Sequence, residues 1–207
     1  MRKNRLPSVK RGLIIVVSAP SGSGKTTLCK KLLETNHKLI YSISATTRAP
    51  RAGEFDGKDY FFTNVKIFKK MIKNNEFVEW AEVHGNYYGT PKKYLEKTLS
   101  RGYDVILDID VQGGEAIKNT YPESVLIFIA PPSLDELKKR LVTRAQDNSK
   151  TIALRLKNAQ KEMSYVKFYD YLVINDKLDT ALDQLKSIIR AEHTKIKRHK
   201  KPNLYLN

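Results

Sequence analysis

The chain has 207 residues, 41% of them apolar, a single cysteine and a formal net charge of +16 at pH 7. That is apolar sequence enough for one α/β domain with insertions, and too much for a disordered chain. The lone Cys29 excludes an intramolecular disulfide and a cysteine metal cage; no apolar run reaches the length of a membrane span, and the composition suits a reducing, cytoplasmic location.

"GLIIVVS" (12–18) reads as a buried strand, β-branched and apolar without alternation. A Gly/Ser turn leads into a periodic helix from about Gly24 to Glu34. "LIYSIS" (39–44) is a second strand, and the charged, Pro/Gly-rich residues 45–59 form a long loop. A short strand at 60–63 precedes a helix capped by Asn64, with Val65, Phe68, Met71 and Ile72 at helical spacing. "FVEWAEV" (77–83) alternates and reads as a half-exposed strand that Trp80 helps to support. His84 is read as a structural loop residue, "GNYYGT" (85–90) carries turn chemistry, and Pro91 opens a helix that runs to about Arg101. Buried strands return at 103–110, 124–130 and 170–175, with helices at 133–144 and 150–167 between the last two and a final helix at 178–197.

Buried strands alternating with helices predict an α/β fold with a parallel, doubly wound sheet. Three parts follow: a core over 12–43, 103–135 and 168–197, an α+β insert over 44–102, and a helical, Arg-rich insert over 136–167. Residues 1–11 and 198–207 read as basic, flexible termini. The net charge suggests anionic partners, although most of it reads as solvated helix surface.

"APSGSGKTT" comprises Ala19, Pro20, Ser21, Gly22, Ser23, Gly24, Lys25, Thr26 and Thr27, and lies between the first strand and the first helix. That is the setting of a P-loop. Its glycines let backbone N–H groups wrap an anion at a helix N-terminus. Lys25 supplies a charge for the β- and γ-phosphates, and Thr26 a hydroxyl for Mg2+. Glycine is usual where Ala19 stands, and alanine serves there if its φ is negative. A nucleoside triphosphate is therefore the expected ligand, without the reaction being named. In "VILDID", Asp108 and Asp110 read as the end of a strand with both carboxylates on one face at the ligand-binding edge. A carboxylate there, such as Asp108, can hold Mg2+ through water or accept hydrogen bonds from a second substrate.

"SISATTRAPRAGEFDGKDYFF", "FVEWAEVHGNYYGT", "ILDIDVQG" and "YDYLVIND", in this order around the P-loop, resemble guanylate kinase over residues 12–197. The resemblance implies a P-loop NTPase fold with a GMP-binding insert and a lid, and transfer of the γ-phosphoryl of ATP to GMP with Mg2+. It implies that Arg48, Arg51, Tyr60 and Tyr88 hold the GMP phosphate, which suits arginine's planar, multi-donor fork. It makes Glu79 the carboxylate that accepts guanine's adjacent N1–H and N2–H, with Ser44 and Thr90 serving O6 and N7. Glu54, Asp108 and Asp110 line the same pocket. Glu54 does not suit an anion, so its expected task is to orient the arginines or the nucleoside.

Arg140 and Arg144, one helical turn apart, and Arg155 in the next helix resemble the lid cations that stabilise the transferring phosphoryl group. Lys25 and Arg48 join them as the catalytic cations. Ala145 replaces the usual glycine at the lid hinge. Asn175 and Asp176 resemble the segment that flanks adenine. No general base is required, because the acceptor phosphate is already an anionic nucleophile. A non-catalytic interaction module, another nucleoside monophosphate kinase and a nucleic-acid-binding P-loop protein stay open as alternatives. No membrane or specific nucleic-acid partner is expected, and monomer and homo-oligomer are both compatible with the sequence.

Overall fold

Five apolar strands form one all-parallel sheet in the order β2-β7-β1-β8-β9. They are β1 (Ile14–Ser18), β2 (Leu39–Tyr41), β7 (Asp104–Asp108), β8 (Val125–Ala130) and β9 (Tyr171–Ile174). The protein is described by a computed structural model over residues 11–83, 85–143 and 149–198. His84, Arg144 and Ala145, and nearly all of the two expected basic termini, lie outside the described residues.

Alternate residues of each central strand serve opposite faces of the sheet, so both faces need a helical layer. Leu13, Ile15, Val17, Ile106 and Ile127 pack with Leu28, Cys29 and Leu32 of α1 (Lys25–Glu34) and with Leu185 and Ile189 of α7 (Leu178–Thr194). On the other face Ile14, Val16, Val105, Leu107 and Leu126 meet Leu95 and Leu99 of α3 (Lys92–Ser100) and Ile117 of α4 (Val111–Thr120). Each fully buried aliphatic side chain contributes about 1.5–3 kcal/mol. Burial, with the Asp108 carboxylate adding to it, pushes the Cys29 thiol up to about 12.

A second, four-stranded sheet has the order β4-β3-β6-β5. It comprises β3 (Ala45–Thr46), β4 (Phe61–Phe62), β5 (Phe77–Val83) and β6 (Asn86–Pro91), with α2 (Val65–Lys73) alongside. The Asn64 side chain caps α2 by accepting from the Ile67 N–H. Phe68 is the fully buried residue of that helix and stacks on Phe77 and Tyr87, whereas Val65 remains 45% exposed. Trp80 is 47% exposed and leans on Tyr87 rather than filling a core. Two further helices, α5 (Leu134–Thr143) and α6 (Ser149–Met163), pack through Leu137, Leu141, Leu156 and Ala159.

The structure departs from the sequence expectations in several places. Residues 86–91 form a strand paired with β5 rather than a turn, and 45–46 pair with β4 and β6 inside the expected loop. Helix α4 was not anticipated, because Gly113 and Gly114 interrupt any periodic pattern. A β-carbon on Gly114 would stand 2.8 Å from the Tyr169 hydroxyl, so close packing there overrides helix propensity. Strand β7 ends at Asp108, and Asp110 is instead the N-cap of α4, its carboxylate accepting from the Gly113 N–H at 2.8 Å. The two aspartates therefore do not share a strand face. The last long helix stops at Thr194, and a 3-10 turn covers Ile196–Arg198.

Asp104 fastens the lower edge of the core. It is 1% exposed, accepts from the Leu13 N–H at 2.8 Å, and lies 2.7 Å from His193 Nε2. Asp104→Ala leaves a buried N–H without its acceptor, and a loss of about 2–4 kcal/mol is expected in urea denaturation. Asp104→Asn, which keeps one carbonyl acceptor, should lose less.

Candidate active site

The turn from β1 into α1 wraps a pocket of about 370 Å3 at the carboxyl edge of the large sheet. Ala19–Gly22 and Gly24–Thr27 form one wall, and Asp108, Asp110 and Glu162 the other. Gly24 precedes the helix with φ +86°, a left-handed conformation that a side chain would strain. The space beside it is taken as well: a β-carbon there would come within 2.3 Å of Asn175 Nδ2. That amide donates to the Ser23 carbonyl at 2.7 Å, so the end of β9 holds the loop in shape. Asn175 is 5% exposed and its amide is engaged by the loop, while Ser23 is buried beneath the pocket rather than lining it.

Lys25 Nζ lies 2.5 Å from Asp108 Oδ1, and the Tyr41 hydroxyl donates to the other oxygen at 2.8 Å. Burial first, and Asp108 next, hold the Tyr41 phenol far above its ordinary value. The Ser18 hydroxyl donates to the Ile109 carbonyl, securing the turn that leads to Asp110. Glu162, near the end of α6, brings a third carboxylate into the pocket. Burial raises its pKa, Lys25 opposes that shift, and Asp110 adds to it.

The second sheet carries the other group. Arg48 and Glu54 form a two-pronged pair, with Nη1 donating to Oε2 at 2.9 Å and Nη2 to Oε1 at 2.8 Å. Glu54 Oε2 also accepts from the Arg51 backbone N–H at 2.7 Å, closing the loop around Pro50. These hydrogen bonds, Arg48's first, hold the Glu54 carboxyl below its usual range and the Arg48 guanidinium above its own. The Arg48 plane lies 5.3 Å from the Tyr60 ring centroid, Tyr60 meets Tyr88 edge to face at 6.2 Å, and the Tyr88 phenol stands beside the guanidinium. The Arg51 side chain is exposed.

Glu79 joins the two groups. Its Oε1 accepts from the fully buried Thr90 hydroxyl at 2.6 Å. Burial raises its pKa, the Thr90 hydrogen bond opposes this, and the charge of Asp110 adds to it. Ser44 stands at the start of β3, its carbonyl accepting from the Phe61 N–H.

The lid residues are placed differently. Arg140 Nε donates to Glu136 at 3.0 Å and its Nη1 to the Asn175 carbonyl at 3.0 Å, so it is directed to the end of β9 and not into the pocket. Arg155 and Asp176 do not line the pocket, and Arg144 is outside the described residues. Glu162 and Tyr41 were missed from sequence. Glu162 sits in a run of helical polar residues with nothing local to single it out. Tyr41 had a legible signal, because it ends the strand next to "VILDID".

The oxygen donors of Thr26, Asp108, Asp110 and Glu162 are hard ligands of the kind Mg2+ prefers. Among the described residues no group of three or more His, Cys, Asp or Glu forms a metal cage. Such a wall suits a cation that arrives with phosphates and keeps much of its water.

The family model described as guanylate kinase matches residues 11–192. A guanylate kinase of Caldanaerobacter subterraneus subsp. tengcongensis is 50% identical over 197 residues, covering 95% of each chain. One of Bacillus subtilis is 50% identical over 190 residues, 91% of this chain and 93% of that one. The crystal structure of guanylate kinase from Anaplasma phagocytophilum superposes with a TM-score of 0.75 at 37% identity, over 94% of this chain and 93% of its own. The matched range, residues 11–192, includes the loop around Arg48 and Glu54 as well as the P-loop. The chain belongs to the guanylate kinase family.

Proposed function

We propose that the chain transfers the γ-phosphoryl group of ATP to GMP, and also to dGMP, giving the nucleoside diphosphate and ADP. The observation that carries this reading is the position of Asp110. It lines the phosphate pocket and accepts from the Gly113 N–H, and Gly113 in turn packs against Glu79, where a β-carbon would stand 3.4 Å from Oε2; this supports reading the P-loop and Glu79 as parts of one site.

In this reading residues 19–27 and Lys25 bind the triphosphate, whose γ-phosphate competes with Asp108 for the lysine. Thr26, and Asp108 through water, would hold Mg2+. That ion, when bound, neutralises charge on the phosphate oxygens. The GMP phosphate lies between Arg48, Arg51, Tyr60 and Tyr88. Glu54 holds both Nη groups of Arg48 end-on, and the Tyr88 phenol stands beside the same guanidinium. Glu54 thus orients the arginine and does not contact the phosphate. Glu79 accepts N1–H and N2–H of guanine, with Thr90 and Ser44 beside it. Residues 44–102 act as the acceptor insert and 136–167 as the lid. Arg140, held by Glu136 and the Asn175 carbonyl, reaches the transferring group only when the lid closes, and Arg144 and Arg155 are assigned the same charge-stabilising role. The acceptor phosphate attacks in line without a general base. A reducing, cytoplasmic setting suits the lone thiol. No helix among the described residues is long and apolar enough to cross a membrane.

Purified protein with saturating Mg·ATP should convert GMP and dGMP, and AMP and UMP far more slowly, in a coupled ADP-release assay. No turnover of GMP, or equal turnover of AMP, would overturn the reading. Arg48→Ala should lower kcat/KM for GMP by about tenfold to a hundredfold, the range expected for a charge-assisted pair, with ATP affinity nearly unchanged. An equal loss of ATP affinity would remove this loop from the acceptor site.

Glu79 must be ionised to accept two N–H donors, and its pKa is raised above the ordinary 4.5. Use of GMP should therefore fail on acidification at a higher pH than an ordinary carboxylate would give. The same shift acts oppositely on folding. It favours the folded state below the ordinary carboxylate pKa, and that contribution is lost as pH rises through the raised value. Glu79→Gln should accordingly raise KM for GMP by at least about tenfold, yet melt no lower than the parent at pH 7 in buffer without nucleotide.

A further inference from the structure

Lys195, Lys197 and Arg198 do not line the P-loop pocket. They gather at the opposite edge of the large sheet, where the amino ends of β8 and β9 meet α4 and the end of α7. A cavity of about 90 Å3 lies there, with Lys118, Ser124, Lys195, Lys197 and Arg198 in its wall. Three carboxylates line it as well, and two of them are already engaged. Asp170 accepts from Lys118 Nζ and from the Leu126 N–H, both at 2.9 Å. Glu192 accepts from the Tyr171 hydroxyl at 2.6 Å and pairs with Lys195 at 2.5 Å. The third, Glu123, is exposed.

Two polar groups of this wall have no partner. Ser124 is 4% exposed, and its hydroxyl makes no hydrogen bond. Arg198 donates from Nη2 to the Arg11 carbonyl at 2.7 Å, which fixes the guanidinium, while its Nε–H is out of solvent and also unpartnered. A buried guanidinium N–H without an acceptor is costly, and the acceptor it favours most is an anion. Lys197, exposed at the same wall, adds positive charge. At about 90 Å3, against about 370 Å3 at the P-loop, the cavity suits a compact ion such as a single phosphoryl group.

We propose that this cavity is a second anion site that takes one tetrahedral phosphate group, either orthophosphate or the terminal phosphate of an oligophosphate. Ser124 and Arg198 donate to its oxygens, and Lys197 and Lys118 balance its charge. The site is separate from the P-loop, which lies at the carboxyl edge of the same sheet.

The test is amide NMR on the full chain, with the P-loop and acceptor sites occupied by Mg·AMP-PNP and GMP. Orthophosphate and tripolyphosphate are titrated separately, with sodium chloride at matched ionic strength as control. Saturable shifts at Ser124, Val125 and residues 195–198 that sodium chloride does not reproduce are expected. Tighter binding of orthophosphate identifies the free ion as ligand, and tighter binding of tripolyphosphate a terminal phosphate. Arg198→Gln should weaken binding about tenfold, with kcat unchanged. Lys197→Gln, a change at an exposed position, should weaken it less and serves if the first variant folds poorly. Shifts that follow ionic strength, shifts confined to residues 19–27, or undiminished binding by both variants would overturn the proposal.

Discussion

A single buried hydrogen bond, from Asn175 Nδ2 to the Ser23 carbonyl, joins residues 152 positions apart and sets the shape of the phosphate cradle. It requires Gly24, because any side chain there would occupy the amide's position. It also requires β9 to lie in the same sheet as β1, with β8 between them. From that fixed end the Asn175 carbonyl reaches Arg140 in α5. The cradle, the last core strand and the start of the helical hairpin are therefore one mechanical unit, and movement of α5 is felt directly behind the P-loop.

The site's electrostatics are inverted relative to its substrates. Among the described residues lining the pocket, Lys25 is the one cation, set against Asp108, Asp110 and Glu162. Glu79 adds a fourth carboxylate close by, and burial raises the pKa of both Glu79 and Glu162. A fold does not gather carboxylates in low dielectric for its own stability. Carboxylates so placed repel a bare polyanion and attract cations.

What was legible in the sequence was local. The P-loop announces itself through strand, glycines, lysine and helix within nine residues, and the central strands β1, β7 and β8 through their apolar character; β9, read as buried, is an edge strand with Leu172 52% and Ile174 43% exposed. Arg48, Arg51 and Glu54 were legible as a cluster, yet only coordinates reveal that Glu54 grips Arg48 from the end of its fork. Asp110 was misassigned to a strand because a helix opening with two glycines has no amphipathic signature. Its glycines answer in part to Glu79 and Tyr169, which lie more than thirty residues away along the chain. The bond from Asn175 to the P-loop was not legible for the same reason, since its partner Ser23 is distant in sequence. Glu162 was invisible because its role depends on how α6 meets the pocket.

Cys29 gives this architecture a built-in reporter. It is the only thiol of the chain, fully buried between α1 and the sheet one turn beyond the P-loop lysine, and held mostly as the unreactive thiol. Thiolate chemistry at that position therefore waits for α1 to part from the sheet. The rate at which a disulfide reagent captures it measures how often the nucleotide-binding helix opens, and the slowing of that rate by a bound nucleotide measures how firmly the ligand closes it.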